Sequence, residues 1–339
     1  MLSSPNLEAP PPVESSATTR SKFRILVLVA TIALALSEIL CRFAIGLGDP
    51  PLYQADGQME YLLQPSKTYE RFHSRIAINR YGMRADDFPP LKSSDREFRV
   101  LVVGDSIVYA GVRIDQPEID TEILKRDLQH DLARPIVVGN ASAKSWGPPN
   151  ELAYLERYGT LDADVVVLEL SSHDYADAPT FVPVVGISAD YPDKKPALAL
   201  FDLFETYLLP RYLHIGATPA GIDKTMINTS QSEQDIAECR DAEREFFRFA
   251  RNHKAKVALA QHLSLPELTG KYQIGYDANQ EVAKEEGVPY VDDAAELKIL
   301  LKSGQNPFYA GDPLHLNGIG QPILAHTLRR AVDLAKDSK

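Results

Sequence analysis

Five short apolar, largely β-branched runs recur along the chain, at 98–103, 135–138, 164–168, 256–260 and 288–291. None alternates cleanly with polar residues, so each needs apolar cover on both faces, as strands of a parallel sheet do. Helical periods separate them. Ile119, Ile123, Leu124, Leu128 and Leu132 share one face, and Phe246, Phe247 and Ala250 share another. Strands joined by crossover helices predict an α/β chain folded as a three-layer α/β/α domain with about five parallel strands. No internal repeat is present.

Composition narrows the function classes. With 44% hydrophobic and 24% charged residues the chain is globular and not disordered throughout. A formal charge of −11 excludes the basic surface that nucleic acid requires, so no nucleic-acid partner is expected. Two cysteines, Cys41 and Cys239, make neither a disulfide framework nor a Cys-rich zinc site.

The first segment differs from the rest. Residues 1–22 are rich in Ser, Thr and Pro and read as a disordered cytoplasmic tail. Arg20, Lys22 and Arg24 then precede a run without charge at 25–36. Counted to Ile45 the segment is long enough to cross a bilayer as a helix. Residues 23–46 are therefore expected to form a transmembrane anchor, with a cleaved signal peptide as the rival reading. Glu38 and Arg42, four apart, can pair on one face near the membrane edge. The cationic cluster stays inside, which places everything after Gly46 on the far side of the membrane. Residues 47–96 read as an extended linker packed on the following domain, with Gly82 at a turn.

The globular domain covers residues 97–339, with an insertion at about 175–230 that is too long and too Pro-rich for a plain crossover. Within it Phe201, Phe204, Leu208 and Tyr212 share a helical face, expected to pack on the core, with a lid or membrane-contacting patch as the rival reading.

Chemistry is expected at the C-terminal ends of the strands. The first run leads straight into Gly104-Asp105-Ser106-Ile107. A serine at such a strand-to-helix turn exposes its hydroxyl and aims its own N–H where an oxyanion would form. Near the other end stands Asp312-Pro313-Leu314-His315-Leu316-Asn317-Gly318. A serine nucleophile needs a base, and the base needs a carboxylate to fix its tautomer; one loop can supply both. An amphipathic run with Ile319, Ile323, Leu324 and Ala331 follows, with Asn317 as its expected N-cap.

Together these two blocks resemble those of the SGNH hydrolases, the GDSL esterase and lipase family, over roughly residues 97–335. The resemblance implies a flavodoxin-like α/β/α sandwich and ester chemistry through a triad of Ser106, His315 and Asp312. The middle blocks depart from the family pattern. Asn140-Ala141-Ser142-Ala143-Lys144-Ser145-Trp146-Gly147 puts Ser145 where the family carries an oxyanion-hole Gly, with Gly147 two residues on. Ser171-Ser172-His173-Asp174 puts His173 where the family carries an Asn that donates to the oxyanion. The expected oxyanion hole is thus Ser106, Ser145 or Gly147, and His173, whose imidazole N–H can replace an amide.

His173, Asp174, Asp312 and His315 are also metal-ligand types, but no compact zinc spacing is present, and neither a metal nor another cofactor is expected. The segment at 61–84, with Asn79-Arg80-Tyr81-Gly82-Met83-Arg84, is similar to bacterial membrane-anchored SGNH proteins. The resemblance implies a single-pass inner-membrane protein with its catalytic domain in the periplasm. It would hydrolyse or transfer a small acyl group, acetyl above all, on a glycan or other ester. The alternative is a catalytically weak SGNH-like domain that binds polysaccharide or scaffolds a complex.

Overall fold

The computed structural model describes residues 16–213 and 232–338. The first fifteen residues of the expected tail, residues 214–230 of the insertion and the side chain of Tyr212 lie outside that description.

Helix α1 (Ser16–Ile39) continues as a π-helical turn, Leu40–Ile45, which Gly46 ends at φ 78°. A Cβ on Gly46 would come within 2.8 Å of the Phe72 backbone, so both the conformation and the space demand glycine. The stretch Arg20–Ile45 is long and apolar enough to cross a membrane, and its large side chains, Phe23, Leu26 and Leu28 among them, are exposed.

Two antiparallel hairpins follow: β1 (Tyr53–Asp56) with β2 (Glu60–Leu63), and β3 (Lys67–Arg71) with β4 (Ser74–Ile78). They are more than a linker. Tyr53, Leu62, Leu63, Tyr69, Ile76 and Met83 are buried in one cluster with the main sheet. Trp146 Nε1 donates to the Tyr61 carbonyl at 3.0 Å, and Asn150 Nδ2 to that of Met59 at 3.2 Å.

The main sheet contains β5 (Phe98–Gly104), β6 (Ile136–Ser142), β7 (Val165–Ser171), β8 (Lys256–His262) and β9 (Tyr290–Asp292), all parallel. Their order, β6-β5-β7-β8-β9, is the flavodoxin-like doubly wound arrangement. Period-two geometry divides each strand between two layers. Val100, Val102, Val165 and Val167 face one cluster; Leu101, Val103, Val166 and Leu168 face the other.

The helices are α2 (Ser106–Tyr109), α3 (Asp120–Leu132), α4 (Pro148–Tyr158), α5 (Ala199–Asp202), α6 (Glu233–Asn252), α7 (Leu265–Leu268), α8 (Ile274–Glu285), α9 (Ala294–Lys302) and α10 (Gln321–Asp337). Leu124 and Leu128 of α3 pack with Leu324, Leu328 and Val332 of α10 on one face of the sheet. Phe246 and Phe247 of α6 and Tyr154 of α4 cover the other.

Two details differ from the sequence reading. The N-cap of α10 is Gly320, while Asn317 organises the loop before it, donating to the carbonyls of Asn306 and Phe308. Phe201, Phe204 and Leu208 are 50%, 47% and 36% exposed and not packed on the core. The inward side of that segment is taken by buried Ala199 and Asp202. Asp202 accepts two hydrogen bonds from Arg71 and one from Gly48 N. Glu38, paired with Arg42 at 2.8 Å, also accepts from the amides of Ala199 and Leu200 at 3.0 Å. One carboxylate thus ties the apolar helix to the globular domain.

Candidate active site

Gly104 ends β5 where a side chain has no room: a Cβ would meet Val108 at 2.9 Å and the Glu169 carbonyl at 3.0 Å. Asp105 caps the short helix α2, its Oδ1 accepting from Ile107 N at 2.7 Å. Ser106 is therefore the first helical residue, half-buried at the sheet's C-terminal edge.

The opposite wall is the loop 307–317, pinned by a bridge between Phe308 and Leu316. Asp312 Oδ1 accepts from the amides of Leu314 and His315 at 3.0 Å each, which folds the loop back on itself. The other oxygen, Oδ2, lies 2.7 Å from His315 Nδ1, and His315 Nε2 lies 2.9 Å from Ser106 Oγ. A carboxylate at Nδ1 puts the proton there and leaves Nε2 with a lone pair toward the serine. Burial pushes the Asp312 carboxyl up, but the hydrogen bonds from His315 outweigh it and hold it at about 2. The structure thus brings together Ser106, His315 and Asp312, with Ser106 and its base His315 lying 209 residues apart in sequence.

Of the expected oxyanion donors, Gly147 is committed elsewhere. Its N–H donates to Asn150 Oδ1 at 3.1 Å, and a Cβ there would collide with the Asp177 carbonyl. Ser145 is left-handed at φ 52°, a conformation in which glycine is at ease and serine is strained.

His173 is half-buried between two carboxylates: Nε2 lies 3.2 Å from Asp174 Oδ1 and 3.5 Å from Asp105 Oδ2. Burial opposes its charge, yet Asp174 and then Asp105 prevail and hold it protonated up to about 10. Below it, Glu169 and Glu151 are fully buried, with both oxygens of each lacking a partner among the described residues. Burial first, and the neighbouring acids second, push both well above the usual carboxylate range. The ligand atoms of Asp105, His173 and Asp174 lie within 4.8 Å of one another, so these three are also the residues that could hold a cation.

One residue without a motif belongs to the site's support. His262, last in β8, lies 2.5 Å from Asp293 Oδ2 through Nδ1 and 2.8 Å from the Leu314 carbonyl through Nε2. Its only sequence signal is its place at the end of a strand.

A cleft of about 470 Å³ adjoins Ser106, Asp312 and His315. A larger depression of about 760 Å³ between α6 and α8 shares no residue with the triad and is lined by no serine, cysteine or histidine.

No family model and no curated protein matches the chain. Among solved structures it is similar to a two-domain esterase (CEX) active on acetylated mannans, at 12% identity and a TM-score of 0.45, over 72% of this chain and 50% of that one. The chain therefore spans half the length of that esterase. It is also similar to the acetyl xylan esterase AlAXEase, at 15% identity and a TM-score of 0.43, over 69% of this chain and 100% of that one. A third similarity is to Axe2, an acetylxylan esterase from Geobacillus stearothermophilus, at 16% identity and a TM-score of 0.42, over 69% of this chain and 94% of that one.

Proposed function

We propose that the protein is a serine ester hydrolase that removes a small acyl group, acetyl above all, from a hydroxyl of a glycan or comparable ester outside the cytoplasm. The observation that carries this reading is the unbroken chain from Asp312 through His315 to Ser106 Oγ, at 2.7 and 2.9 Å. His315 Nε2 takes the Ser106 proton as Oγ forms a bond to the ester carbonyl carbon. Ser106 N–H, Ser145 N–H and the His173 imidazolium hold the resulting oxyanion. The alcohol leaves with the proton from His315. Water then repeats the sequence: its proton passes to His315, its oxygen attacks the acyl carbon, and Ser106 Oγ departs and recovers that proton. A sugar hydroxyl in place of water would make the same site a transferase.

The setting proposed is the bacterial inner membrane, with Arg20–Ile45 as the span and the domain in the periplasm. Arg20, Lys22 and Arg24 before the apolar stretch support that orientation, and the Glu38 tie to α5 supports an uncleaved helix. Protease treatment of spheroplasts checks it: the domain is digested without lysis, and protection overturns the orientation.

Full-length protein in detergent, treated with a fluorophosphonate probe, tests the chemistry. Label on Ser106, lost in His315→Ala, together with p-nitrophenyl acetate turnover is the expected result. A folded protein that takes no label would overturn the esterase reading in favour of a binding or scaffold role.

A further inference from the structure

The cleft beside Ser106 is lined beyond the triad by Gly111, Arg113 and Tyr309. Arg113 stands over the Phe72 ring, 4.9 Å from its centroid, and no carboxylate of the described residues forms an ion pair with it. Stacked in this way, a guanidinium keeps its in-plane N–H groups free. Tyr309 contributes a hydroxyl that is buried and has no hydrogen-bond partner among the described residues. An orphaned donor of this kind calls for an acceptor from outside.

The loop that carries Arg113 is itself built on a cation. Arg84 is fully buried and donates to the carbonyls of Tyr109, Gly111 and Ile114. Its remaining bond goes to the Gln116 amide oxygen, so no carboxylate contacts it. Two guanidiniums therefore stand behind one wall of the cleft without a contacting counter-charge, in a chain of formal charge −11. The acid of the opposite wall, Asp312, is committed to His315. An arginine fork and a phenolic O–H together suit a carboxylate or a phosphate, and charge-assisted bonds to such groups are the strong ones.

We propose that the cleft selects an acyl ester whose alcohol part carries a carboxylate or phosphate, held by the Arg113 guanidinium and the Tyr309 hydroxyl. The substrate class is thus an acidic acylated molecule and not a neutral one. The inference rests on the esterase reading for its substrate, but anion recognition is measured apart from turnover.

The experiment uses full-length protein in detergent with 4-acetoxybenzoate, its neutral methyl ester and 4-acetoxyphenyl phosphate. The expected kcat/KM ratio of 4-acetoxybenzoate to its methyl ester exceeds about ten, the scale of one charged hydrogen bond. It falls about tenfold in Arg113→Gln, recovers in part in Arg113→Lys, and falls severalfold in Tyr309→Phe. Preference for neither anion over the neutral ester, or a preference unmoved by Arg113→Gln, overturns the proposal. The phosphate compound tells which anion is preferred, and preference for either over the neutral ester supports it. Calorimetric binding of the same compounds to Ser106→Ala separates the two readings. Tighter binding of the anionic esters, lost on adding Arg113→Gln, supports anion recognition even in a protein without turnover; equal binding of all three overturns it.

Discussion

His262 Nε2 lies 2.8 Å from the carbonyl of Leu314, the residue immediately before His315. Its other nitrogen faces Asp293 Oδ2 at 2.5 Å, an arrangement that favours the imidazolium charge. Burial opposes that charge, but Asp293 outweighs it and raises the imidazole above its ordinary value. The pair fixes the backbone from which His315 reaches Ser106, which makes His262 a positioning residue. Misplacing a base by a fraction of an ångström is costly. His262→Leu should lower kcat about ten- to a hundredfold with KM little changed, measured well below the variant's Tm. His262→Gln, which keeps a donor for Leu314, should recover part of the loss. A fall in Tm with kcat intact in both variants would assign the residue to stability alone.

Asp312 sets the tautomer of His315, so Asp312→Asn should retain the loop yet lose about 10³–10⁴ in kcat. Its carboxyl is depressed from 3.8 to about 2 in the folded protein. A depressed carboxylate adds stability above its unfolded pKa and loses it as pH falls through the folded one. The stability gap between wild type and Asp312→Asn should therefore be full at pH 7 and close between about pH 4 and pH 2. Thermal melts across that range check the sign, and a gap that widens on acidification contradicts it.

His173 stands between Asp174 and Asp105 as a cation up to about 10. As the third oxyanion donor it should contribute 10²–10³ in kcat, the usual worth of one such donor. His173→Ala is expected to lose that factor and His173→Asn to restore part of it through an amide N–H. The donor weakens as the imidazolium deprotonates, so wild-type turnover should fall above about pH 10 with a limb that His173→Asn lacks. If the trio instead serves a cation, chelation would abolish turnover and zinc would restore it, and that result replaces the imidazolium reading.

Buried parallel strands announce themselves because both faces are apolar, and so the number of strands in β5 to β9 and their cover on both faces were legible in the sequence, while their order was implied only by the resemblance. Ser106 and the Asp312/His315 loop were legible because each sits beside a regular element whose end the pattern marks. The hairpins at 53–78 were not. Their strands are four or five residues long and carry Lys67, Glu70 and Arg75 on their exposed side, too short and mixed for a period to emerge. His262 was hidden because its partners, Asp293 and Leu314, are 31 and 52 residues away. Phe201, Phe204 and Leu208 show the limit of periodicity: an apolar helical face has the same spacing whether it is covered by core or left exposed.

Glu169 carries the most direct test of the buried acids. It lies in β7, fully buried, with neither oxygen bonded among the described residues and with Asp105 and Asp174 as its nearest charges. Burial holds its carboxyl protonated well above 4.5, the ordinary value that the unfolded chain retains. The folded protein then binds a proton that the unfolded chain has released, so this residue's contribution to stability falls as pH rises from about 4.5. Glutamine has the shape of the protonated acid and no proton to lose, so it stays neutral at every pH. Glu169→Gln should therefore raise Tm, by little at pH 5 and by more at pH 8. A gain equal at both pH values would mean that the carboxyl is not held protonated. A loss that deepens with pH would mean that its charge is stabilised by the fold, and the same protonated state for Glu151 would fall with it.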